Sequence, residues 1–417
     1  MASVQLDAVG PQDFDLRHPA GEKLVGQPPE VRSDLFSLAS PAWDEVQLFT
    51  VEDRFVSCSP GSKSSLILDG SGDYADLSST MLRVTLPAAT PSGPRLWRAR
   101  VGLRLVERVK VWGGDQLLED VAGRSLRMLQ DAYSSTSHAA AGDALVGGRV
   151  SVSTAAPLSL LVPLRLLGRG GGRTLRPTPA GWFPIGAAYK TQIRVEITWA
   201  PWRDLVQLAG TEGPSEAGWF ASNLLGLPML LTQKAFFKPD SMGTRDTMQH
   251  DHRLLIETVM EISEPAYVEA GSATIERLPA PRVTVLLQSL NGMVKCLFFG
   301  AEDAGGSYLP SAILDATVAV GSRQLFDPLP FDVFSLYLAS RRGVRSDPAL
   351  PLGLHSFALH TDAPDLPCGA LNFSVLTRPS LKLRMRTGHG AESIRVFALL
   401  HRFMRVTAGR VDMLLEP

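Results

Sequence analysis

Two stretches of this chain alternate so regularly that they leave one choice of secondary structure. In Gln192-Ile-Arg-Val-Glu-Ile-Thr-Trp199 and Ser380-Leu-Lys-Leu-Arg-Met-Arg-Thr387 every second residue is apolar and the residues between are polar or charged. A period of two gathers the apolar side chains on one face of an extended strand. Each stretch therefore predicts an antiparallel strand with one face on a core and one in water. Less regular candidates are Val46 to Phe55, Ser65 to Leu68, Met81 to Leu86, Val101 to Trp112, Leu158 to Leu166, Leu254 to Ile262, Val283 to Gln288, Met293 to Phe299, Ala316 to Val320 and Ile394 to Phe403. Punctuated by 37 glycines and 30 prolines, so many short strands predict an all-β chain of sandwiches or barrels. Helical periodicity is confined to Ser125–Tyr133 and Phe331–Ser340.

The chain repeats itself. A shift of 208 positions lays Lys110-Val-Trp-Gly-Gly-Asp-Gln-Leu-Leu-Glu119 on Val318-Ala-Val-Gly-Ser-Arg-Gln-Leu-Phe-Asp327 without a gap. In each copy a strand precedes the Gly turn and one of the two candidate helices follows. A looser echo pairs Pro184-Ile-Gly-Ala187 with Pro367-Cys-Gly-Ala370, each just ahead of an alternating strand. The repeat predicts two tandem β-sandwich domains of one kind, 35–238 and 239–417, joined near Phe237–Gly243. Residues 1–34, polar and carrying Pro11, Pro19, Pro28 and Pro29, predict an extended arm.

Charge narrows the function. Lys+Arg 41 against Asp+Glu 42 leaves a formal charge of −1, so no global field holds a phosphate backbone or an anionic membrane. Arg165, Arg169, Arg173 and Arg176 surround a glycine run without interleaved aromatics, which predicts a solvated basic loop. Cys58, Cys296 and Cys368 are far apart, with no CxxC, and predict reduced, mostly buried thiols. The start, MASVQLDAVGPQDFDLRH, lacks the basic and apolar regions of a secretory leader, and folding in the cytosol is expected. Trp219–Leu231, the most apolar stretch, is interrupted by Ser222, Asn223 and Pro228 and is too short to span a bilayer.

Motifs of catalysis are scarce. Gly168-Arg-Gly-Gly-Gly172 neither follows GxGxxG spacing nor opens a helix, and fits a hairpin loop. His250, Asp251 and His252 lack a third metal ligand at a telling distance. No GxSxG elbow or marked carboxylate pair occurs, although a site assembled from distant loops needs no local motif. No catalytic residue, metal or cofactor is expected. Asn372-Phe-Ser374 fits a glycosylation acceptor, but without a secretory route the Asn side chain is expected to tie a backbone turn.

That triplet closes a longer pattern, Ser356-Phe-Ala-Leu359, then Pro367-x-Gly369, then Leu371-Asn-Phe-Ser374, which resembles the C-terminal domain of major capsid proteins of nucleocytoplasmic large DNA viruses, the chlorovirus and iridovirus type. Other segments resemble the same family in the same order. They are Ser71-Gly-Asp73, Val111-Trp-Gly-Gly-Asp-Gln116 with Gly113, Gly114 and Gln116, Val162-Pro-Leu164 with Pro163, Phe183–Lys190, and His401-Arg-Phe-Met-Arg-Val-Thr-Ala-Gly409 with Arg405 and Gly409. Departures occur at Leu48–Arg54, Leu164–Leu166 and Val375–Thr377, which leave open a main capsomer or a divergent paralogue.

The resemblance implies a double jelly-roll: two eight-stranded antiparallel sandwiches, three chains closing into a pseudo-hexameric capsomer of an icosahedral shell. It implies a virion protein made in host cytoplasm, whose partners are itself, neighbouring capsomers and minor capsid proteins, with no sequence-specific nucleic-acid binding. A rival reading is a secreted-type double-sandwich lectin or glycan hydrolase, whose groove Trp182, Trp199 and Trp202 would line. Within Ser356–Ser374 the alternation predicts Phe357 and Leu359 facing the core, Ser356 and Ala358 facing away, and the loop Thr361–Cys368 projecting outward. Pro367 would set the approach to a Gly369 intolerant of a β-carbon, Asn372 would tie the turn and Phe373 would re-enter the core. His355 and His360 would lie at a strand edge and in a loop.

Overall fold

The computed structural model describes residues 46–414 except 57, 92, 134–138, 168–181, 208–217, 221, 223, 238–251, 267–280, 304–305, 342–351, 360 and 362–368. The expected arm, the glycine run, the inter-domain joint beyond Phe237, His250, Asp251, His360, Pro367 and Cys368 lie outside the described residues.

Among the described residues up to Phe237, three two-residue strands, Leu96–Trp97, Val152–Ser153 and Val206–Gln207, make a small sheet of their own, and the eight longer strands form two antiparallel sheets: β1 (Val46–Arg54), β2 (Lys63–Ile67), β3 (Tyr74–Leu86), β4 (Val106–Gly113), β5 (Gln116–Ala122), β6 (Leu158–Pro163), β7 (Ile193–Trp199) and β8 (Gly226–Phe237). Their spatial orders are β1-β8-β3-β6 and β2-β7-β4-β5. Beyond them, eight strands repeat this pattern, β9 (His252–Pro265), β10 (Arg282–Leu286), β11 (Met293–Glu302), β12 (Ile313–Val320), β13 (Arg323–Gln324), β14 (Gly353–Ser356), β15 (Pro379–Met385) and β16 (Ser393–Thr407), ordered β9-β16-β11-β14 and β10-β15-β12-β13, with the two-residue strands Leu329–Pro330 and Leu371–Asn372 added beside β12 and β11. Adding eight to every strand of the first pair of sheets gives the second pair. A final strand, β17 (Arg410–Leu414), pairs with β16.

Each pair of sheets closes on its own apolar layer. Leu82, Val84, Leu160, Val162, Val195, Ile197 and Leu230 fill the first; Val285, Leu297, Phe299, Val318, Leu381, Leu383 and Val396 fill the second. The alternating stretches become β7 and β15, whose burial alternates as their sequence does, on β15 from Leu381 onward, Ser380 being buried.

The repeated turn differs from the gapless alignment by one residue. Gly113 pairs with Gln116 across Gly114-Asp115, and Val320 pairs with Arg323 across Gly321-Ser322. Gly114 and Gly321 share a φ of +59° and +60° at the first turn position, where a two-residue hairpin turn of type II′ asks for Gly. Turn therefore superposes on turn with a shift of 207. The helical segments that follow, 123–133 and 331–341, keep the shift of 208, because the second copy spends one more residue between turn and helix.

Two strand assignments are corrected. Val101–Leu105 is a short helix and the strand starts at Val106. The strand expected at Ser356–Leu359 ends instead at Ser356, whose Oγ accepts from Ala358 N (3.1 Å) and donates to Ala358 O (2.8 Å), curling the chain out of the ladder. The alternation is lost there: Phe357 is half-buried on the core, Ala358 is buried and Leu359 is 65% exposed.

Candidate functional site: the seam between the sandwiches

The helix Gly123–Tyr133 has two apolar faces. Leu126 enters the core of its own sandwich, whereas Met128, Leu129 and Ala132 pack on the outer face of β9-β16-β11-β14, against Val259, Cys296, Phe298, Leu354, Phe397 and Leu399. That sheet is consequently buried on both faces. Along β11, Val294, Leu297, Phe299 and Ala301 point into the second core while Cys296 and Phe298 point into the seam, which is why this strand is a continuous apolar run instead of an alternating one.

Polar contacts pin the two sandwiches together around this layer. Tyr133 OH donates to Thr361 O (3.4 Å) and the Tyr133 ring stands edge-on to Phe298. Thr361, expected to begin an outward loop, is fully buried beneath it. Arg124 of the helix reaches Glu302 of β11 at 3.5 Å, and Arg395 holds Glu302 (3.2 Å) and Glu261 (3.0 Å). At the far end, Met413 N of β17 donates to Gln116 Oε1 (3.2 Å), and Gly409 O accepts from Lys190 N (3.0 Å) and Thr191 Oγ1 (3.0 Å). Ala408 and Gly409 take φ of +50° and +86° in the two-residue turn joining β16 to β17, so the last hairpin presents its carbonyl to the first sandwich.

Beside the seam lies an ion pair that the sequence does not announce. Lys295 Nζ donates to Glu257 Oε1 with both side chains at 1–2% exposure, and His401 Nδ1 lies 4.0 Å from the same oxygen. Burial, and then the Lys295 charge, push the His401 imidazole down to about 4 and keep it neutral near pH 7. Burial also pushes the Cys296 thiol up to about 12, which makes it an inert packing group. In the first sandwich Glu119, fully buried and accepting from Leu167 N, is pushed by burial up to about 8. A lysine inside the apolar run Met293–Gly300 was the available signal for the pair, but nothing in the spacing pointed to Glu257.

The family-motif residues fall in different parts of the fold. Gln116 and Gly409 are in the seam, with Gly113 and Gly114 at the turn that delivers Gln116; Arg405 sits on β16 opposite Arg253 and Asp412. Pro163 ends β6 opposite Met81. Asn372, Phe373 and Ser374 form a brace under β11. Gly292 N donates to Ser374 Oγ (2.8 Å), Phe373 N donates to Gly292 O (2.8 Å), and Ser374 N donates to Asn372 Oδ1 (2.9 Å). Phe373 is buried, and its ring meets Phe357, which in turn meets His355. His355 thus belongs to an aromatic cluster with Phe326 and Phe334 and is not a bare strand edge. Gly369 has φ +126°, and a β-carbon there would lie 2.9 Å from Phe357 O.

Features of the rival reading are placed elsewhere. Trp182, Trp199 and Trp202 are buried, Trp199 donating its Nε1 to Ser64 Oγ (2.9 Å), so they line no groove. An open depression of about 450 Å³ on the outer face of β10-β15-β12-β13 is lined by Arg282, Asp315, Lys382 and Arg384 and contains no aromatic ring. Among the described residues no group of three or more His, Cys, Asp or Glu is arranged to hold a metal ion, and no helix is long and apolar enough to cross a membrane.

No protein-family model and no curated protein matches this sequence. Solved structures do. VP54 of PBCV-1 superposes with a TM-score of 0.73 at 14% identity, covering 91% of this chain and 99% of its own. A chain of the PBCV-1 virus capsid gives 0.72 at 15% identity, with the same coverage of 91% and 99%. The fold is a double jelly-roll. The Faustovirus major capsid protein, at 10% identity, has a TM-score of 0.66 over 89% of this chain and 92% of its own. A double jelly-roll explains why the sheet order repeats after eight strands: each half is one roll, and the seam is where roll meets roll.

Proposed function

We propose that the chain is a structural capsid protein, without catalytic activity, that assembles as a homotrimer into pseudo-hexameric capsomers of an icosahedral virion shell. The observation that carries this reading is the near-complete, end-to-end likeness to capsid chains, together with two sandwiches of identical strand order in one polypeptide. Three such chains supply six similar lobes, the number a hexagonal net requires of one tile. The division runs 35–238 and 239–417, and the partners are further copies, neighbouring capsomers and minor capsid proteins. A near-zero net charge suits a wall that does not itself hold the genome.

Light scattering on the purified chain tests it. The expected mass is about 135 kDa, three times the 45.0 kDa chain, through interfaces of the large obligate class, above ~2,000 Å². A stable monomer at micromolar concentration refutes the capsomer while leaving the fold intact.

A further inference from the structure

The seam has two halves, and each has a counterpart that stands partly exposed among the described residues. One half is the helix Gly123–Tyr133, which sends Leu126 into its own core and Met128 and Leu129 onto the neighbouring sheet. A shift of 208 carries these positions to Phe334, Leu336 and Tyr337. Phe334 again enters its own core at 1% exposure, but Leu336 and Tyr337 stand 41% and 55% exposed.

The other half is the outer face of β9-β16-β11-β14, whose counterpart is the outer face of β1-β8-β3-β6. Inward rows on that first sheet carry Leu82, Val162 and Leu230. The alternate row runs Glu52, Leu231, Met81, Pro163 across the four strands, with the last three half-buried. The edge strands differ in the same sense. On β9 the seam-facing Val259 is buried, while on β1, which holds the same place in its sheet, Leu48, in the outward row with Glu52, is 40% exposed. Long apolar edges are normally covered.

Resting on the capsomer reading, we infer that the outer face of β1-β8-β3-β6 receives the helix Val333–Leu338 of a second copy of this chain, repeating between chains the seam found within one. The contact is heterologous, helix of one copy to sheet of the next, so it closes a ring of chains and not a face-to-face pair. The first sheet's face is less apolar than its counterpart, as suits a surface that meets water before assembly.

Three full-length variants test the inference. Leu336→Glu/Tyr337→Glu should be monomeric by light scattering at concentrations where the wild type is assembled, and Val375→Glu, 74% exposed at another site, should remain assembled. Leu231→Cys/Leu336→Cys, treated with a short bis-maleimide, should give covalent multimers on a denaturing gel where the wild type gives none. An assembled glutamate variant, or coupling confined within single chains, overturns the docking assignment and leaves the capsomer standing. If the thiol introduced by Leu231→Cys becomes reactive only on removal of residues 1–45, with the mass unchanged, the face belongs to the chain's own N-terminal segment and the assignment is overturned. A monomeric wild type overturns both.

Discussion

Replacing Lys295 by Met leaves Glu257, 2% exposed, without the cation that faces it across the intervening strand β16. The carboxylate cannot regain water, so its least costly response is to take a proton. At pH 7 that costs at most about 1.4 kcal/mol for each unit between the solution pH and an ordinary glutamate pKa near 4.3, or about 4 kcal/mol. The figure falls within the ~3–5 kcal/mol found when one partner of a buried pair is removed. It also carries its own control, because protonation becomes cheaper in acid: the same substitution should cost only about 1 kcal/mol at pH 5. Lys295→Met/Glu257→Leu, which removes both charges, should stay near wild type at either pH. Urea unfolding of the four proteins at pH 7 and pH 5, followed by tryptophan fluorescence, measures all of this. A Lys295→Met penalty below 1 kcal/mol at pH 7, or one that is the same at both pH values, would refute the reasoning, since it would mean that the pair is solvated or that the loss is merely one of packing.

Glu119 gives a pH dependence of known sign. Its folded pKa of about 8 lies above the unfolded 4.5, so the native state holds the extra proton and loses stability as pH rises from 4.5 through 8; Glu119→Gln should gain about 3 kcal/mol relative to wild type between pH 5 and pH 8 in a melt series. Phe373→Ala, at a buried site, should cost ~3–5 kcal/mol, and Phe357→Ala, half-buried, about half that; equal losses in thermal melts would contradict the burial difference between the two rings.

What the sequence disclosed follows from which surfaces meet water. Strands β7 and β15 have one wet face, and their alternation survives in the residues. Strand β11 has none, and β8 buries Thr232 and Lys234 beside Leu230 and contains Pro228, so neither shows a period of two and β8 passed unrecognised as a strand. Gly114, Gly321 and Gly369 were legible as turns because their φ values exclude most side chains. The one-residue slip in the repeat was not, since Gly113 and Gly114 are identical letters and only the backbone distinguishes them. The seam was hidden for a related reason: Met128 and Leu129 look like core residues of any helix, and no periodicity says which sandwich they serve.

The strand β16 has a consequence for how such a chain is made. Its 15 residues run through three apolar clusters: Val396 and Ala398 lie in the second core, Phe397 and Leu399 in the seam, and Met404 and Val406, followed by Val411 of β17, in the cluster of the first core. The first sandwich, although translated first, therefore lacks part of its apolar packing until Val411 has left the ribosome. Domains of a nascent chain ordinarily fold in order of synthesis. Here completion of the first waits for the last strands of the second, so a product truncated before Met404 is left with an unfinished first half, and assembly surfaces mature only on chains extended past Val411.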